Sequence, residues 1–334
     1  MNRLNNLGSM LAIIIFAANP IFAQESAPIK WGVSVGSGST TFERSTLTER
    51  DGTQVLKNEE ADFVSTILTL SARKGNHQFS FSTNAADEEN MSLSGSYFTD
   101  LAAPTASNDF DDKSFTYTYS LTEKWRASIG WNALSMDEKT GNTTTYNNAF
   151  INSDFEDWQV AQATSSSTER SGATALLSYV QPLGASNKWV AVGRLGFTAQ
   201  DYEKSGKGTT LVSGVSQAAE DCYSGVTCNV STPTFINGDG FNNTSNRASD
   251  STAVVYGFSL IYVFDNRRHT LNFDFNFRDN DYEKMTEGYN STPIGGLFTG
   301  GDNTSAVSLQ GEAVNDDIEE TVSSFSIKWR YGLN

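Results

Sequence analysis

Phe325, Ile327, Trp329, Tyr331 and Leu333 alternate without a break with Ser326, Lys328, Arg330 and Gly332. Side chains of a β-strand point to opposite faces in turn, so this run presents one wholly apolar face and one polar face carrying two positive charges. A soluble sandwich would turn the apolar face to a core. A barrel in a bilayer turns it outward to lipid and the polar face inward to the lumen. How often the pattern recurs decides between the two.

It recurs along most of the chain. Trp31, Val33 and Val35 oppose Lys30, Gly32, Ser34 and Gly36. Val64, Leu68 and Leu70 share a face that Phe63 and Ile67 blur. Phe79 and Phe81 oppose Ser80 and Ser82, and Phe115, Tyr117 and Tyr119 oppose Ser114, Thr116 and Thr118. Trp125, Ala127, Ile129 and Trp131 oppose Arg126, Ser128, Gly130 and Asn132. Further apolar faces are carried by Leu177 and Tyr179, by Trp189, Leu195 and Phe197, by Tyr256, Phe258 and Tyr262, and by Leu271, Phe273, Phe275 and Phe277. With the final run this makes about ten strands, with eight and twelve as the neighbouring even counts.

The connections alternate in length. Those at 73–76, 122–124, 184–188 and 265–268 are tight, whereas 45–60, 84–113, 137–172, 203–252 and 283–320 are long and polar. Short turns on one rim and long loops on the other are the asymmetry of membrane barrels. A Greek-key sandwich has no reason for it. Within one long connection the alternating run 91–98 reads as a hairpin extension above the membrane. Trp31, Trp125, Trp189 and Trp329, with Tyr331, gather near the short-turn ends of their strands on the apolar face, as an interfacial aromatic girdle does.

Residues 1–23 read as a secretory signal: Arg3 gives a positive start, 11–18 a short apolar core, and Ala23 a small residue at the cleavage site. That leaves 24–334 as a single barrel domain. The full chain carries 23 basic and 39 acidic residues, a net charge of −16, which argues against nucleic acid as a partner. In an oxidising compartment Cys222 and Cys228 are expected to close a small loop disulfide.

In signal, strands, turns and girdle the chain resembles the Gram-negative outer-membrane β-barrel proteins, without matching one characterised family. The resemblance implies an all-β fold, a single antiparallel transmembrane barrel in the outer membrane of the cell envelope with both termini periplasmic. It also implies assembly by the barrel-assembly machinery and contact with outer-membrane lipid and lipopolysaccharide. One departure is the C-terminus: such chains commonly end in an aromatic residue, and this one ends in Asn334.

Ten strands is also the size of the outer-membrane omptin proteases, which carry acidic residues and a histidine at the extracellular rim. Here His77 and His269 both begin strands just after short turns, on the opposite side. Asp279 and Asp281 therefore lack a neighbouring base, and read as solvated carboxylates. No catalytic constellation, metal site or cofactor is expected, nor an enzyme. Lys30, Arg126, Arg194, Arg278, Lys328 and Arg330 fall on the inward faces with Asp274. A basic lining of this kind favours anions, so the leading expectation is a small porin-like channel for ions or small solutes. The alternative is a non-conducting structural or interaction barrel, its inward charges tied up with one another, displaying acidic loops; an outer-membrane hydrolase comes third.

Overall fold

The computed structural model describes residues 28–50, 53–89, 91–95, 105–146, 158–213, 240–283, 285–294, 307–314 and 316–333. The signal and the Cys222–Cys228 pair lie outside them.

Ten strands form a closed antiparallel meander: β1 (Lys30–Arg50), β2 (Thr53–Lys74), β3 (His77–Glu89), β5 (Thr105–Ser120), β6 (Trp125–Tyr146), β7 (Trp158–Leu183), β8 (Trp189–Ser213), β9 (Gly240–Val263), β10 (His269–Tyr282) and β13 (Asp316–Leu333). The last strand closes the cylinder by pairing with both β10 and β1. Three further strands stay off the barrel wall. β4 (Met91–Gly95) pairs with 57–61 at the far end of β2, so the described part of the alternating run, 91–95, extends the hairpin; 96–98 lie outside the described residues. β11 (Met285–Ile294) extends the upper half of β9, and β12 (Val307–Val314) pairs with β11.

Outward exposure follows the alternation. Val35, Val64, Ile129, Trp131, Leu195, Phe197, Phe258, Phe275 and Ile327 are all exposed on the outer face. Toward the long-loop rim this apolar band ends at a level of outward, exposed carboxylates, among them Asp62, Asp137, Asp201, Asp250, Asp279 and Glu319. Toward the short-turn rim Trp125, Trp189 and Trp329 are exposed, while Trp31 and Tyr331 are half-buried. Trp125 packs on Tyr179, Trp189 on Tyr262, and Trp329 stacks on His269. An apolar belt edged by indoles on one side and by charge on the other suits a bilayer and not bulk water. The tight turn between β2 and β3 needs its glycine: Gly75 has φ of 56° at the first central position of a two-residue hairpin.

The strands are much taller than a bilayer requires, and here the sequence reading needs correcting. About ten residues suffice for a tilted strand to cross, yet β7 has 26 residues and β8 has 25. Their pairing runs without a slip from Gln159 opposite Ser213 to Leu183 opposite Trp189. Most of 137–172 and a good part of 203–252, expected as loop, is therefore sheet. Beyond the lipid neither face has to be apolar, so Ser, Thr, Asn and Gly carry the backbone ladder without any hydrophobic alternation to announce it.

Candidate functional site in the barrel lumen

The inward side chains form layers. The uppermost lies above the apolar band. Arg44 and Glu320 are register partners on β1 and β13, and Arg170 approaches from β7. Arg170 donates through Nη1 to Glu320 Oε1 at 2.5 Å, and Arg44 donates through Nη2 to Glu320 Oε2 at 2.9 Å. Asn280 Nδ2 supplies another donor to Oε1 at 2.9 Å. The Arg170 guanidinium lies over the rings of Tyr202 and Tyr282, 5.6 and 5.7 Å from their centroids. The Arg170 and Glu320 side chains have no exposure at all. Burial alone would raise the Glu320 carboxyl, but Arg170 and Arg44 more than offset it and hold it well below the usual carboxylate range.

Immediately beneath is an apolar layer of Phe42, Phe63, Ala86, Phe110, Leu134, Met136 and Val322. Phe63 is fully buried, edge-on to Phe42 with centroids 5.7 Å apart and tilted against Phe110 at 5.2 Å. Phe42, Phe110, Leu134 and Val322 also form part of the wall of a polar chamber of about 300 Å³. Asn84 Oδ1, Asp112 Oδ1 and Arg278 Nε border it without a protein partner, so the chamber suits water or a small polar solute.

Lower still, one wall carries a compact ionic group. Asp274 on β10 accepts from Lys328 Nζ at 2.8 Å and from Arg194 Nη2 at 3.2 Å. Ser259, opposite Asp274 in the β9–β10 ladder, donates to the same carboxylate and accepts from Arg194. Toward the short-turn rim the described inward charges are cationic, with Arg126 and Arg330 half-buried and Arg73 exposed.

Of the candidate lumen residues, Arg194, Asp274 and Lys328 are thus brought together. Arg278 faces the chamber, its Nη1 3.5 Å from Gln200 Oε1. Arg126 and Arg330 lie near the short-turn mouth, and Lys30 is exposed at its rim. His77 and His269 begin β3 and β10 there; His77 Nδ1 lies 2.8 Å from the Tyr117 hydroxyl. Asp279 and Asp281 are exposed on the outer face. Three buried charges, Arg44, Arg170 and Glu320, were missed. A longer count would have found them, since Arg44 continues the inward parity of Gly36, Arg170 that of Thr174, and Glu320 that of Ser326.

No protein-family model matches the chain, and no curated protein matches it. Among solved structures it is similar to the outer membrane protease OmpT from Escherichia coli, at 10% identity and a TM-score of 0.51 over 92% of this chain and 99% of that one. A lower TM-score of 0.31 accompanies 12% identity to the outer membrane protein OprG from Pseudomonas aeruginosa, over 91% of this chain and 96% of that one. The fold is that of the Gram-negative outer-membrane β-barrels.

Proposed function

We propose that this chain is an integral outer-membrane barrel, short turns toward the periplasm, whose lumen is closed at rest. Its work is then done by the tall polar sheet and acidic loops that it raises toward the lipopolysaccharide layer and external partners. The observation that carries this reading is the buried Arg44–Glu320–Arg170 layer resting on the Phe42, Phe63 and Phe110 layer. Ions crossing such a lumen would have to break a desolvated charge network, which costs several kcal/mol. The sheet above it is largely polar and, at 26 and 25 residues in β7 and β8, far taller than closing a barrel requires.

We assign no hydrolytic role. OmpT is a protease, but a likeness of fold does not carry an activity, and both histidines here lie at the rim opposite the long loops. Insertion through the barrel-assembly machinery follows from the same reading. A second reading, the porin-like channel for small anions, draws on the polar chamber and the cationic lower lumen.

Planar-bilayer recording separates the two. The refolded mature chain is expected to insert without steady conductance. Stable openings with an anion-selective reversal potential, weakened by Arg194→Gln or Lys328→Gln, would instead favour the channel.

A further inference from the structure

Arg73, Arg126 and Arg330 come from different parts of the wall. Arg73 is the next-to-last residue of β2, and Arg330 lies on β13, one strand beyond β1. Arg126 lies on β6, on the opposite side of the ring of strands from β13, and all three side chains share the inward parity of their strands at the short-turn end. Among the described residues no carboxylate pairs with any of the three. Arg73 Nε donates to the Gly75 carbonyl at 3.2 Å, and Arg330 Nη2 to Ser71 Oγ at 3.2 Å. Asp274, the inward carboxylate of the lower lumen, is already held by Lys328 and Arg194.

The wall is shaped around one of these groups. A Cβ on Gly32 would lie 2.8 Å from Arg330 Nε and 2.9 Å from Nη2, so the missing side chain leaves a bed in which the guanidinium lies against the strand. Three permanent positive charges, two of them partly desolvated, thus face the same mouth, and the acceptors that Arg73 and Arg330 meet there among the described residues are neutral. Guanidinium groups bind planar and tetrahedral oxyanions through paired N–H donors, and like charges brought together need a counter-charge.

We propose that the short-turn mouth is a binding site for a small multivalent oxyanion of the phosphate class, held by Arg126 and Arg330 with Arg73 adding charge at the rim. The site does not depend on conduction, so it stands or falls separately from the closed-lumen reading. It faces the periplasm in the orientation proposed above.

The test uses the refolded mature chain in a non-ionic detergent, with unfolding in urea followed by tryptophan fluorescence. Pyrophosphate is titrated against sodium chloride at matched ionic strength. We expect pyrophosphate to raise the urea midpoint, and Arg126→Gln and Arg330→Gln each to weaken its apparent binding by about tenfold or more. Without pyrophosphate, Arg126→Gln should unfold at equal or higher urea than the parent, because it relieves repulsion, which shows that the variant folds. Gly32→Ala tests the bed, and should weaken binding with all three arginines still present. Three results overturn the proposal: no pyrophosphate effect beyond that of the salt, an effect equal in the parent and both arginine variants, or a response only to added phosphatidylglycerol. The last would place the anion on a lipid headgroup outside the lumen.

Discussion

Glu320→Gln should lower the unfolding free energy of the barrel by about 3–5 kcal/mol, the cost of leaving buried charge without its partner. Arg44 and Arg170 share the Glu320 carboxylate, and its side chain and that of Arg170 have no contact with solvent. Glutamine keeps the shape and one acceptor oxygen but removes the charge, leaving the fully buried Arg170 guanidinium over Tyr202 and Tyr282 without the carboxylate that neutralises it. Removing the whole layer should behave differently. With Arg44, Arg170 and Glu320 all replaced by Met or Leu, stability should stay level or rise by roughly 1–4 kcal/mol, because the desolvation of three ions is no longer required. Urea midpoints in detergent micelles read both results. An unchanged midpoint for Glu320→Gln would mean that water reaches the layer, and the lumen could not then be called sealed. The pH dependence has a definite sign. The folded-state pKa of Glu320 is depressed, so its contribution is complete above the ordinary carboxylate range and is lost as pH falls below it.

The sequence was most legible where lipid enforces alternation. Trp125 to Trp131 and Phe325 to Tyr331 could be assigned to faces because a bilayer permits no exception on the outer side, and the exposures agree. Val64 and Phe63 mark where that legibility stops. Both are apolar neighbours on β2, which blurred the pattern; the structure turns Val64 outward and buries Phe63 in the lumen. A barrel can be apolar inside as well, and alternation then falls silent. Above the band the silence is complete, since Ser165, Ser167, Lys204 and Gly206 pair as regularly as any membrane residue. Arg170 and Glu320 sit in such polar stretches, each next to an outward glutamate, so that only the ladder distinguishes the charge facing in from the one facing out.

Phe63→Ala is the complementary test, because it removes a seal that carries no charge. Its ring is fully buried against Phe42 and Phe110, and deleting such a phenyl costs about 3–5 kcal/mol through lost transfer energy and the cavity left behind. Val64→Ala, one residue away on the outer face, should cost at most about 1 kcal/mol, since the methyls removed there contacted lipid or detergent and leave no internal void. The contrast between these neighbours measures how far the lumen is a packed interior and not a water-filled pore. Conductance gives the second half of the result. The vacated volume borders the layer that helps wall the polar chamber, so the chamber can extend upward. The Arg44–Glu320–Arg170 layer still stands above it, and Phe63→Ala should therefore lose stability while remaining electrically silent. If that single substitution opened a steady current, the aromatic layer alone would be the gate and the ion layer no barrier. Silence in Phe63→Ala, followed by current when Glu320→Ala is added, would place closure in the two layers acting together.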